Sequence, residues 1–90
     1  MAAITVTPTG EGTYAVEVDE GVSSSHHVVT IASDVHARLA GGVSGEVLVT
    51  AAFRFLLDRE PKESIMSRFD ITVIARYFPE FPDRIGDYLP

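Results

Sequence analysis

Ile4-Thr5-Val6-Thr7-Pro8-Thr9-Gly10-Glu11-Gly12-Thr13-Tyr14-Ala15-Val16-Glu17-Val18-Asp19 is the stretch that decides the fold class. Ile4, Val6 and Pro8 alternate with Thr5 and Thr7. Tyr14, Val16 and Val18 alternate with Thr13, Ala15, Glu17 and Asp19. Successive side chains of a strand point to opposite faces, so a period of two marks a half-buried strand. Thr9-Gly10-Glu11-Gly12 between them supplies turn residues that tolerate positive φ. The stretch predicts a β-hairpin. Downstream, Gly21 to Ser25 is polar and turn-like, and the β-branched run His26 to Ile31 predicts a third strand.

Beyond the strands the pattern turns helical. Ser33 is placed to cap a short helix, Asp34 to Ala40, which Gly41 and Gly42 end. Ser44 opens a longer helix to about Arg59. On it Thr50, Arg54 and Asp58 form a narrow polar stripe, while Leu48, Val49, Ala52, Phe53, Phe55, Leu56 and Leu57 cover most of the rest. A helix apolar nearly all round is buried on several sides, so this one is expected at the centre. Pro61 suits the first turn of a further helix with Ile65, Met66 and Phe69 on its apolar face. Asp70 is the cap for a last helix, Ile71 to Phe78, which Pro79 stops. Residues 79–90 hold three prolines and predict an extended tail, docked on the domain or on a partner. The expected architecture is a single α+β domain over 1–90. It has a three-stranded antiparallel sheet (1–32), then three helices (33–78), then the Pro-rich tail (79–90).

Ninety residues, 46% of them hydrophobic, suffice for one thin core. No cysteine is present, which removes disulfides and thiolate zinc sites and leans towards a reducing compartment. Met1 to Pro8 has no basic n-region, so no signal peptide is expected. The most apolar run, Val47 to Leu57, is too short to span a bilayer. A cytoplasmic protein is the expectation. Net charge is −6, carried mainly by residues 1–50, where Arg38 stands alone against six acidic residues. Such a chain is a poor general binder of phosphate backbones.

No motif for catalysis, cofactor or metal stands out. His26 and His27 are neighbours on a strand and face opposite ways, and His36 lies in another element. Ser23-Ser24-Ser25 beside His26 is the composition of a polar turn, without a nucleophile-elbow pattern. Gly10-x-Gly12 and Gly41-Gly42 serve a hairpin turn and a helix stop.

Two resemblances bear on the second half. Phe55-Leu56-Leu57-Asp58-Arg59-Glu60-Pro61-Lys62-Glu63-Ser64-Ile65, with Arg68-Phe69-Asp70 and Val73-Ile74-Ala75-Arg76-Tyr77-Phe78-Pro79-Glu80-Phe81, resembles a group of small bacterial proteins of unassigned function. That resemblance implies a bacterial, cytoplasmic setting and no particular activity. Ile65 to Pro79 is similar to the helix-turn-helix of TetR-type repressors. The similarity implies Phe69 as the buried turn residue, Asp70 as cap of the recognition helix and Ile74 as its core anchor. Arg68 stands where that motif has a glycine, and a left-handed backbone there costs arginine about 1 kcal/mol or more.

The last helix carries a wide apolar arc of Ile71, Val73, Ile74, Ala75, Tyr77 and Phe78, with Thr72 and Arg76 on its open face. Excess apolar surface on a small domain marks a contact site. The function expected is a non-enzymatic protein-interaction module, a homo-oligomer or the small subunit of a complex. Its contact residues would be Arg76, Tyr77, Phe78, Phe81 and Tyr88. The alternative is a nucleic-acid-binding regulator using residues 62–78, with Lys62, Arg68, Thr72 and Arg76 on the nucleic acid.

Overall fold

The alternation at the start of the chain does what a two-residue repeat requires. In the computed structural model, which describes residues 2–90, β1 (Ala3–Gly10) and β2 (Thr13–Asp19) pair antiparallel, with Ile4 opposite Val18 and Val6 opposite Val16. Gly12 makes the turn at φ +69°. β3 (Ser24–Thr30) runs antiparallel to β2 and places His27 opposite Val16 and Val29 opposite Tyr14.

The sheet has one strand more than expected, and it is mixed. β4 (Arg68–Asp70) pairs parallel with β3, giving the order β1-β2-β3-β4. The helix expected from Pro61 is correspondingly absent. Pro61 starts a single 3₁₀ turn, Lys62–Ser64, and Ile65 leaves it in extended conformation (φ −79°, ψ 130°). The cause is the exposed edge of β3. Helical backbone at 65–69 would leave that edge unpaired, whereas Val28 N–H now donates to the Ser67 carbonyl at 2.8 Å. Phe69, flanked by Arg68 and Asp70, then alternates inward as a strand residue should and reaches the core beside Val29. The parallel pairing follows from the helical connection that carries the chain back between the two strands.

Helices form the second layer. α1 (Ser33–Ala40) begins one residue earlier than expected, so its cap position is Ala32, without a side-chain bond, and Ser33 is already inside the helix. α2 (Gly45–Leu57) is capped as expected, Ser44 Oγ accepting from Val47 N–H at 3.2 Å. Leu48, Val49, Ala52, Phe53, Phe55 and Leu56 are all buried, and Arg54 faces water. α2 therefore lies over Val16, Val18 and Val29 of the sheet. Tyr14 rests on the first turn of α2, and a Cβ on Gly45 would sit 1.8 Å from its hydroxyl oxygen, so glycine is what admits the ring there.

Asp70 caps the next segment, as expected, with Oδ2 accepting from Thr72 N–H at 3.1 Å. A 3₁₀ turn, Ile71–Val73, runs directly into α3 (Ile74–Tyr77). The tail is not extended. It folds into α4 (Phe81–Arg84), with Pro82 in its first turn, and a 3₁₀ turn, Ile85–Tyr88. Phe81 and Ile85 are in the core, so the tail docks on its own domain. The radius of gyration, 12.0 Å, is that of a fully packed chain of this length, about 12 Å. Among the described residues no single helix is long and apolar enough to cross a membrane.

Candidate interaction groove

The end of α2, the strap 60–66, β4 and α3 frame a groove of 410 Å³. Its floor is apolar and buried: Leu56, Ile65, Phe69 and Ile74. Its rim is apolar and exposed, with Met66 42% and Tyr77 68% accessible. Glu60 and Ser64 supply the polar groups of the lining. Large exposed apolar side chains next to an apolar hollow are the arrangement that binding surfaces use.

Two polar braces hold the walls. His27 is buried and packs against Phe53 with the rings tilted at 56° and centroids 5.2 Å apart. Its Nδ1 donates to the Met66 carbonyl at 2.7 Å, and its Nε2 lies 2.8 Å from Ser25 Oγ. A carbonyl can only accept, so Nδ1 carries a proton there, and Nε2 is left to bond the Ser25 hydroxyl. Reading Ser25 against its neighbour His26 missed this pair. On a strand the residue on the same face is two positions on. With both nitrogens engaged, His27 pins the strap to β3. His26, on the outer face of the sheet, lies 3.4 Å from Glu17 Oε2.

Lys62 is the second brace. Its side chain is 2% exposed, and its Nζ donates to Ser23 Oγ at 2.7 Å, pairs with Glu20 Oε1 at 3.1 Å and bonds Glu63 Oε2. The Glu63 hydrogen bond, then the Glu20 bond, raise the lysine pKa against the opposing effect of burial. Lys62 and the backbone N–H of Glu63 in turn lower that carboxyl. Asp70 is also held low. Burial pulls it up, but hydrogen bonds from Thr72 and Thr30 outweigh it. Carboxyls depressed on folding stabilise the protein above their unfolded values and lose that stabilisation as pH falls through the folded values. The thermal midpoint is therefore expected to fall between about pH 5 and pH 3. In Lys62→Met the acid slope should become shallower, because the bond that depresses Glu63 is gone. An unchanged slope in scanning calorimetry would contradict the brace.

The groove's own carboxylate behaves differently. Burial raises the pKa of Glu60, and among the described residues no cation or side-chain donor pairs with it. The cations nearest in sequence are engaged elsewhere: Lys62 as above, and Arg59 with Glu80 Oε2 at 3.0 Å and Tyr88 Oη at 3.3 Å.

The residues expected as contacts separate into two sets. Tyr77 is on the groove rim and Arg76 beside it is exposed. Phe78 lines the groove but packs edge-on against Phe55, with centroids 6.0 Å apart. Phe81 is 1% exposed, and Tyr88 donates to Asp58 Oδ2 at 2.6 Å, so both are used within the chain. Met66, Glu60, Ser64 and Ile65 of the groove were not singled out as contacts by sequence. The residues expected on nucleic acid are not on one helix. Lys62 is buried in a turn, Arg68 is on a strand, the Thr72 hydroxyl donates to Asp70, and Arg76 is on the four-residue α3. With no helix over 65–70, the first helix of a helix-turn-helix is not formed.

Among the described residues no cluster of three or more His, Asp or Glu side chains is placed to hold a metal ion. Neither a protein-family model, nor a curated protein, nor a solved structure matches this chain.

Proposed function

We propose that this chain is a protein-interaction module whose contact surface is the groove between the strap 60–66 and α3. The observation that carries the reading is the exposure of Met66 and Tyr77 over a buried apolar floor. Leaving two large apolar side chains in water beside a hollow that could bury them is unfavourable by about 25 cal/mol per Å². A partner side chain entering the groove would recover that free energy. Tyrosine is among the residues that dominate interfaces, and methionine adapts its shape to what it meets.

The test is Tyr77→Asp. Tyr77 is mostly exposed, so the variant should fold and melt like the wild type. Its association with a partner isolated with the wild-type protein, a further copy or another chain, should weaken by about 2 kcal/mol or some thirtyfold. Phe78→Asp is the poorer probe, because Phe78 also packs on Phe55. Equal recovery of the partner by wild type and a folded Tyr77→Asp would refute the groove as the contact surface.

A further inference from the structure

We infer that the groove's occupant is a second copy of this chain, docked about a two-fold axis so that each Tyr77 enters the partner's groove and each Arg76 meets the partner's Glu60. The inference rests on the groove being the contact surface and goes on to name what fills it.

Charge complementarity within the chain itself points there. The groove contains a carboxylate without a cation, Glu60, although Arg59 and Lys62 are close in sequence and both are engaged with other partners. Adjoining the rim residue Tyr77 in sequence is a cation without a carboxylate. Arg76 is exposed, sits next to Tyr77 and takes part in no ion pair among the described residues. Within one chain the two charges do not pair. Two copies facing each other would pair them twice. Burial already disfavours the charged form of Glu60, and a guanidinium arriving with the partner would reverse that disadvantage.

The shape of the patch agrees. A two-fold contact uses the same surface on both molecules, so the surface must hold both a projection and a recess. Tyr77 is the projection, and it lines the recess as well. An axis passing close to α3 puts each Tyr77 over the other molecule's hollow, with Met66 beside it to fill space. The chain's net charge of −6 opposes indiscriminate association. The two Arg76–Glu60 pairs would set the register, as interfacial charges do.

The experiment is sedimentation equilibrium of the full chain, from about 1 µM to about 1 mM, the range in which a modest interface associates. Wild type, Glu60→Arg, Arg76→Glu and the double variant carrying both changes are compared. Wild type should dimerise. Each single reversal places two like-charge pairs in the interface and should weaken it at least about tenfold. The double variant restores opposite charges and should recover most of the affinity, which loss of folding or a generic charge effect would not do. A wild-type chain that stays monomeric throughout overturns the inference. So does a dimer that ignores the single reversals, or a double variant as weak as the singles. The broader reading fails separately. A probe on the groove rim that captures a different protein refutes only the second copy as occupant, whereas a rim that captures nothing refutes both.

Discussion

Phe55→Ala is expected to lower the free energy of unfolding by about 3–5 kcal/mol. Phe55 is fully buried on α2 and joins the end of α3 and two pieces of the tail to the domain. The rings of Phe78, Phe81 and Tyr88 lie 6.0, 5.0 and 5.7 Å from it, all edge-on, the favourable arrangement for aromatic pairs. The Arg59 guanidinium lies 3.6 Å over its face. Alanine would leave a cavity that four fixed neighbours cannot collapse into. For a domain of this size, total stability is about 0.05–0.15 kcal/mol per residue, so the loss is a large part of the whole. Hydrogen exchange should show residues 78–89 opening first, with β2 and β3 protected longest. Phe53→Ala is the informative contrast. Phe53 touches His27 and Phe69 instead, so its loss should loosen the strap and β4 before the tail. Urea unfolding that finds Phe55→Ala within about 1 kcal/mol of wild type would mean the tail does not pack as described.

Gly12→Val should be comparably damaging, although Gly12 lies in a turn rather than the core. Its φ of +69° is open to glycine and strained for valine. A Cβ there would also lie 2.6 Å from the Ile31 carbonyl oxygen. That oxygen cannot simply retreat, because Ile31 N–H donates to the Gly12 carbonyl at 2.8 Å and ties the hairpin to the end of β3. Left-handed strain and the clash together are expected to cost about 2–5 kcal/mol. Gly21, at φ +91° with nothing near its Cβ position, would show the strain alone in Gly21→Ala. Measured side by side in urea, Gly12→Val should be the worse of the two by the contribution of the clash. Equal losses would remove the Ile31 contact from the account.

How far the fold could be read from the residues depended on how local each signal was. The hairpin was legible because its alternation and its turn glycines lie within sixteen residues. The central helix was legible because its cap and its narrow polar stripe are also local. β4 was not, because three residues, Arg68-Phe69-Asp70, are too few to show a period, and the preceding Pro61 is equally a helix starter. Only the edge of β3, forty residues away in sequence, made that segment extended. The tail misled for a related reason. Its prolines suggested extended chain, yet Pro82 suits the first turn of a helix, and burial of Phe81 and Ile85 decided the matter. Of the residues at the candidate groove, Tyr77 could be picked out as surplus on the apolar arc of the last helix, with Arg76 on its open face. Glu60, Ser64 and Met66 could not, because they meet α3 only after the strap is pinned by His27 and Lys62.

Site-specific photo-crosslinking in the cells that make the protein tests the groove most directly. A benzophenone amino acid would replace, one at a time, Met66 and Tyr77 on the rim, Thr7 on the open face of the sheet and Arg54 on the outer face of α2. The account predicts a discrete adduct from both rim positions and none from Thr7 or Arg54. Adducts from Thr7 or Arg54 with none from the rim would contradict it.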